Sequence, residues 1–230
     1  MVSREISIIL PCYNEERNIQ KVVEEIKEFC SDFFSKYEII IVDDGSHYST
    51  IKILKEMSKE YPQVKVIYHG KNKGYGMALK SGFKIASMEY IFFTDSDRQF
   101  FIQDIKDFFN VLDKYNPDII IGYRKKRKDS LLRKFLSKGY AFLVRILLKL
   151  KVKDVNCAFK LFKKDFIKDV DIISKSFVVN AELIKKGLLK DLKIFQLPVR
   201  HRTRLSGKST VRFRHFLITL KELLNLRRCF

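Results

Sequence analysis

Short apolar runs alternate with stretches of helical spacing along the first half of the chain. Residues 4–10 (REISIIL) form an apolar run closed by Pro11, and residues 37–42 (YEIIIV) form a second. Ile- and Val-rich runs of this length, bounded by turn formers, predict buried strands. Between them Ile19, Val22, Val23 and Ile26 recur at the spacing of one helical face. The alternation continues through VKVIYH at 64–69, a helix near 76–87, YIFFT at 90–94 and DIII at 118–121. Strands alternating with helices predict a mostly parallel sheet covered on both faces, a Rossmann-like α/β arrangement over residues 1–123.

The second half is patterned differently. In residues 131–150, Leu132, Phe135, Leu136, Leu143, Ile146, Leu147 and Leu150 line one helical face. Lys134, Lys138, Ala141, Arg145 and Lys149 line another. Five charges within residues 131–150 exclude a membrane span, and an amphipathic helix with a cationic face suits a membrane interface. A surface helix packed on the core is the competing reading. Residues 213–228 repeat the basic amphipathic pattern.

Charge sharpens this division. The formal net charge is +19, yet residues 1–123 carry 16 Lys and Arg against 19 Asp and Glu. Residues 124–164 hold 15 against 2, and residues 199–230 hold 9 against 1. Basic blocks of this kind meet phosphate, on nucleic acid or on an anionic membrane surface. The four cysteines, Cys12, Cys30, Cys157 and Cys229, form no CxxC pair, which argues against a cysteine metal site and suits a reducing cytosol. The first residues lack a signal pattern, so a soluble or peripheral protein is expected.

In sheets of this type ligands collect at the carboxyl ends of the strands. Three such ends are polar here: Pro11-Cys12-Tyr13-Asn14-Glu15, Asp43-Asp44 and Asp95-Ser96-Asp97. Asp95 and Asp97, with Gln99 beyond, supply hard oxygen ligands for Mg²⁺ or Mn²⁺ shared with diphosphate oxygens, although a lone DxD also reads as a polar turn. Asp43 suits hydrogen bonds from a base or ribose. Asp44 is open between ligand contact and capping the next helix. Lys71-Asn72-Lys73-Gly74-Tyr75-Gly76 opens a helix as a phosphate-cradling turn does, with Asn72 and Gly74 in it.

Taken in order, PxYNE (Pro11 to Glu15), VDDGS (Val42 to Ser46), NKGYGMALKSGF (Asn72 to Phe83) and DSDxQ (Asp95 to Gln99) resemble the family 2 glycosyltransferases with the GT-A fold. The similarity is to the polyprenol-phosphate sugar synthases of the dolichol-phosphate mannose synthase type, and it covers nearly the whole chain. It implies one domain over 1–230, with a nucleotide-sugar and metal half at 1–123 and an acceptor and membrane-facing half at 124–230. Pro11, Tyr13, Glu15, Asp43, Asp44, Asn72, Gly74 and Asp95 would contact the nucleotide sugar, GDP-mannose or a UDP-hexose. Asp95, Asp97 and Gln99 would hold Mg²⁺ or Mn²⁺. Arg124, Arg133, Ser137, Arg204 and Lys208 would bind the acceptor phosphate of a polyprenol, with Asp97 and Arg124 as the catalytic pair. The expected place is the cytoplasmic face of a membrane, peripherally. The chain departs from the family pattern at Ser96 (usually alanine), at His47-Tyr48-Ser49, at Cys157 (commonly serine) and at Ala158 (usually glycine). Asp154, Glu182 and His201 also fall at or beside family positions, with roles left open.

The implied reaction is an inverting, one-step transfer of a hexose, mannose first, onto a lipid monophosphate. A phosphate with a second pKa of about 6 is already ionised at neutral pH, so no strong general base is required. Two other readings compete: a family 2 enzyme with a polysaccharide or other non-lipid acceptor, and a basic nucleic-acid-binding protein. The second leaves the acidic strand ends without a purpose, so no nucleic-acid partner is expected. Oligomeric state is not readable.

Overall fold

The computed structural model describes residues 4–125, 131–203 and 213–230, with only the backbone described at 131–136, 138 and 213–218. The front half alternates as its apolar periods require: β1 (Glu5–Cys12), α1 (Ile19–Phe33), β2 (Lys36–Asp43), α2 (Tyr48–Glu60), β3 (Val64–Tyr68), α3 (Tyr75–Ile85) and β4 (Tyr90–Thr94). Then come α4 (Ile105–Tyr115), β5 (Ile119–Arg124), α5 (Leu131–Leu147), β6 (Phe159–Lys163), α6 (Lys164–Lys168), α7 (Val179–Leu189), β7 (Ile194–Val199) and α8 (Phe213–Arg227).

The strands form one sheet in the order β3-β2-β1-β4-β6-β5-β7. β1 lies parallel to both β2 and β4, with Cys12 opposite Asp43 and Ile9 opposite Phe93. The polar ends of these three strands therefore share one rim. β6 runs antiparallel to β4 and to β5, and β7 closes the sheet parallel to β5. The sheet is thus continuous across residues 123 and 124.

Ile6, Ile8, Ile9, Leu10 and Ile39 to Val42 are wholly inaccessible, as expected of strands covered on both faces. On one side α1 presents Ile19, Val22, Val23 and Ile26 to the core, and Phe33, Phe34 and Phe109 meet edge-on with centroids 5.0 to 5.8 Å apart. Burying such rings stabilises beyond their area by about 0.5–1.5 kcal/mol per pair. α4 stops where Asn116 takes a left-handed conformation (φ 44°).

α5 buries other positions than the apolar face read from the sequence. Tyr140, Val144 and Leu148, spaced by four, are the buried positions, and α5 packs against α8, where Leu223 and Leu226 are buried. Ile146, which the sequence places on the apolar face of this helix, is 55% exposed, and Phe142 is 62% exposed. The outer face of α5 is therefore apolar as well as basic. Among the described residues no helix is long and apolar enough to cross a membrane.

Candidate active site

The shared rim is held together by bonds between the strand-end motifs. The Ser96 hydroxyl donates to the Pro11 carbonyl oxygen at 2.7 Å, which ties the DSD segment to the end of β1. The serine at this departure from the family pattern thus has a structural use. The Asn14 amide donates to Ser46 Oγ (2.9 Å), and the His47 amide donates to Asn14 Oδ1 (2.8 Å). Asn14 thereby takes up an amide at the start of α2 from another segment, where the N-cap side chain of His47 makes no capping bond.

Glu15, Asp43, Asp44, Asp97 and Gln99 are all buried at this rim, while Tyr13 and Asp95 are partly exposed. Glu15 Oε2 accepts from the Asn18 side chain (2.7 Å), and Asp43 accepts from the Ser46 amide through both oxygens (3.3 Å). Asp97 Oδ1 accepts from the Gln99 amide at 3.1 Å, and the Gln99 side-chain nitrogen donates to the Arg202 carbonyl at 3.2 Å. Asp95 Oδ1 accepts from the Tyr75 hydroxyl at 3.1 Å. Burial and the charge of Asp95 push the Tyr75 phenol well above its usual range, so it stays a donor.

The donor set fits a hard cation. Two carboxylates one residue apart sit at the end of β4, with the Gln99 nitrogen already engaged so that its oxygen is the end left for a metal. Among the described residues no three His, Cys, Asp or Glu side chains converge. A cation here would complete its shell with ligand oxygens.

The turn before α3 differs from its expected use. Asp44 Oδ1 accepts from the Lys73 amide and Oδ2 from the Gly74 amide, each at 2.9 Å, and Oδ1 also meets His69 Nδ1 at 2.7 Å. The Gly76 amide donates to the Lys175 carbonyl at 2.8 Å. These amides face protein oxygens, so they do not form the open cradle expected for an anion, and Gly74 serves by its shape. Its φ of 101° and the approach of Lys175 leave no room for a Cβ, and a Cβ at Gly76 would collide with the Ser174 carbonyl oxygen. Asn72 remains exposed beside it. Asp44 neither caps α2 nor points to solvent; it shapes this turn. His69, which also bonds Ser81 Oγ through Nε2 at 2.8 Å, was missed by sequence reasoning. It too follows a strand, so the strand-end rule could have found it.

Arg124, at the end of β5, is held by Asp154: Nε donates to Oδ2 at 2.6 Å and Nη2 to Oδ1 at 2.9 Å. This two-pronged pair fixes the plane of the guanidinium. Lys160 on β6, also missed, is fully buried and donates to the carbonyls of Val155 (3.1 Å) and Cys157 and to Asn180 Oδ1 (2.6 Å). Burial lowers its pKa to about 8, opposed by the nearby charges of Asp154 and Asp95. Glu182 is buried and accepts from the amides of Ile173 and Ser174, both at 2.9 Å, and from Lys186.

Arg98, in a left-handed conformation, and Arg202 both donate to Glu25, and Arg202 also donates to the Arg98 carbonyl. With Phe100 bridged to His201, residues 201 and 202 are tied to the DSD turn. Ser137 lies half-buried on α5, the helix that also carries Arg133. The Arg133 side chain, Arg204 and Lys208 lie outside the described residues.

Acidic motifs at three adjacent carboxyl ends of a largely parallel sheet place the candidate site on this rim. The chain belongs to glycosyl transferase family 2, whose family model matches residues 7–171. It is 31% identical over 228 residues to a dolichol-phosphate mannosyltransferase of Pyrococcus furiosus, covering 96% of this chain and 63% of that one. It is 28% identical over 209 residues to a dodecaprenyl-phosphate galacturonate synthase of Rhizobium johnstonii, covering 90% of this chain and 62% of that one. The chain thus spans about three fifths of the length of these relatives, 62% and 63%. Its fold matches glucosyl-3-phosphoglycerate synthase from Mycobacterium tuberculosis, solved with Mn²⁺, UDP-glucose and phosphoglyceric acid. The TM-score is 0.73 at 16% identity, over 98% of this chain and 80% of that one.

Proposed function

We propose that this chain moves one hexose, mannose first among candidates, from a nucleotide diphosphate sugar to the phosphate of a polyprenol at a membrane surface. The observation that carries this reading is the juxtaposition on one rim. Buried carboxylates at the ends of β1, β2 and β4 suit a nucleotide sugar, and Arg124, fixed by Asp154, suits an anionic acceptor. The two relatives named for polyprenol phosphates support the choice of acceptor.

In this reading Pro11, Tyr13, Glu15 and Asp43 hold the nucleotide, while Asp44 acts through the turn it shapes. Asp95, Asp97 and Gln99 would hold Mg²⁺ or Mn²⁺, which supplies positive charge for the departing diphosphate. A phosphate oxygen of the acceptor attacks the anomeric carbon from the face opposite the nucleotide. One C–O bond forms, one breaks, and configuration inverts. Arg124, with Arg133, Ser137, Arg204 and Lys208, would offset the repulsion between two anions brought into contact. No group need remove a proton, because the acceptor arrives ionised.

The outer faces of α5 and α8 support a peripheral position on the cytoplasmic face of a membrane. Phe142, Ile146 and Leu224 are exposed beside Arg145, Lys149, Lys221, Arg227 and Arg228. Apolar groups ringed by cations suit the headgroup region of an anionic bilayer.

A radiolabel transfer assay with polyprenol phosphate, Mg²⁺ or Mn²⁺ and a panel of GDP- and UDP-sugars tests the proposal. Label entering the organic phase with one donor supports it. Metal-dependent binding of a nucleotide sugar without lipid product would favour the second reading, a non-lipid acceptor, which the phosphoglyceric acid complex of the fold neighbour keeps open.

A further inference from the structure

Glu222 is the single acidic side chain among nine Lys and Arg in residues 199–230. It lies on α8, distant in sequence from every strand-end motif. Its carboxylate accepts from the amides of Lys175 and Ser176 and from the Ser176 hydroxyl. Glu182 holds the amides of Ile173 and Ser174 in the same way. Four successive amides of one connecting segment are therefore fixed by two carboxylates, one from α7 and one from α8.

That segment is the wall against which the turn before α3 rests. The Lys175 carbonyl accepts from the Gly76 amide at 2.8 Å, and the missing Cβ atoms of Gly74 and Gly76 are what allow the approach. The next residue, Phe177, packs its ring on Tyr75 with centroids 5.0 Å apart and planes inclined by 33°. The Tyr75 hydroxyl reaches Asp95. A shift of residues 175–177 has no slack to absorb it before it reaches the first carboxylate of the DSD motif. Close-packed contacts pass displacement on in this way.

We infer that α8 sets the geometry of the donor site through Glu222, which makes Glu222 a positioning residue for nucleotide-sugar binding. The assignment rests on the donor reading of the Asp95 rim. Glu222 need not touch the donor, since it acts through residues 175–177 and Tyr75. The same link explains why a helix with a basic, apolar outer face carries one carboxylate turned inward.

The test compares wild type with E222A, E222Q and the control N225A, whose side chain is exposed on the same helix. Hydrogen exchange over residues 72–79, read without substrate, is expected to accelerate about tenfold in E222A, the equivalent of about 1.4 kcal/mol. E222Q, which keeps an acceptor oxygen but not the charge, is expected to fall between, and N225A to match wild type. Donor Kd and KM are expected to rise by a similar factor in E222A while the acceptor KM stays within about twofold. Unchanged exchange at 72–79 with intact donor binding would overturn this assignment alone. A uniform rise in exchange across the whole protein would also overturn it, by reducing Glu222 to a general stabiliser. Failure of the wild type to bind any nucleotide sugar would overturn the donor reading and this assignment together.

Discussion

Replacing Asp154 by alanine should both destabilise the protein and misdirect Arg124. The two side chains are 10% and 6% exposed and meet through two parallel bonds. Removing one member of a buried pair leaves a desolvated charge, at a cost of about 3–5 kcal/mol. A domain of this size loses roughly 2–4 °C of Tm for each kcal/mol, so D154A should melt on the order of 10 °C lower. The double variant R124M/D154L removes both charges and refills the space with apolar atoms. It should recover most of that loss, because a buried pair and an apolar pair of similar volume differ little in stability. Activity should not follow. If Arg124 faces the acceptor phosphate, the double variant stays as impaired as R124M alone, with the loss in the acceptor terms rather than in donor binding. Calorimetric melting and two-substrate kinetics on the three variants measure both effects. A double variant with restored transfer would refute the role of Arg124, and a D154A protein melting within about 2 °C of wild type would refute the argument from burial.

D97A should abolish transfer while leaving the fold intact, since it removes one of the two carboxylates read as metal ligands; circular dichroism and the lipid assay check this. G76A should lower donor affinity at least about tenfold, because its Cβ meets the Ser174 carbonyl oxygen and the turn carrying Tyr75, which bonds Asp95, must move; unaltered nucleotide binding would contradict the contact. Lys160 has a folded pKa of about 8 against an ordinary 10.5, so the unfolded chain binds more protons between those values and stability gains from this group as pH rises from about 8 to 10.5. Urea titrations across that window should show the gain in wild type relative to K160M. F142S/I146S should weaken binding to vesicles of anionic lipid without altering the melting temperature, because both side chains are already exposed.

The front half was legible because its information is local. Apolar runs and helical spacing set β1 to β5 with α1 to α3, and the strand-end rule located the rim before any contact was known. What escaped depended on partners remote in sequence. Phe159–Lys163 alternates poorly as a strand because Lys160 occupies a core position, which the carbonyls of Val155 and Cys157 and the Asn180 side-chain oxygen help make tolerable. Asp44 read as a ligand contact or a cap, and its bonds to the amides 29 and 30 residues away and to His69 could not be seen from its neighbours in sequence. On α5 both faces are apolar enough to pack, and contact with α8 selected Tyr140, Val144 and Leu148. The residues read for the acceptor at 204 and 208 lie outside the described chain, so they stand on sequence alone.

One antiparallel strand has a consequence for how such a chain could diversify. Since β6 runs against β5, the polypeptide that leaves the rim after Arg124 comes back to the same rim before Phe159. Its two ends are buckled together by the Arg124–Asp154 pair. Residues 125–153, with α5 among them, therefore form a cassette with a closed neck. Under the proposed function, a different cassette grafted onto that neck would meet the same acidic rim, so the acceptor could change while the grip on the sugar stayed as it is.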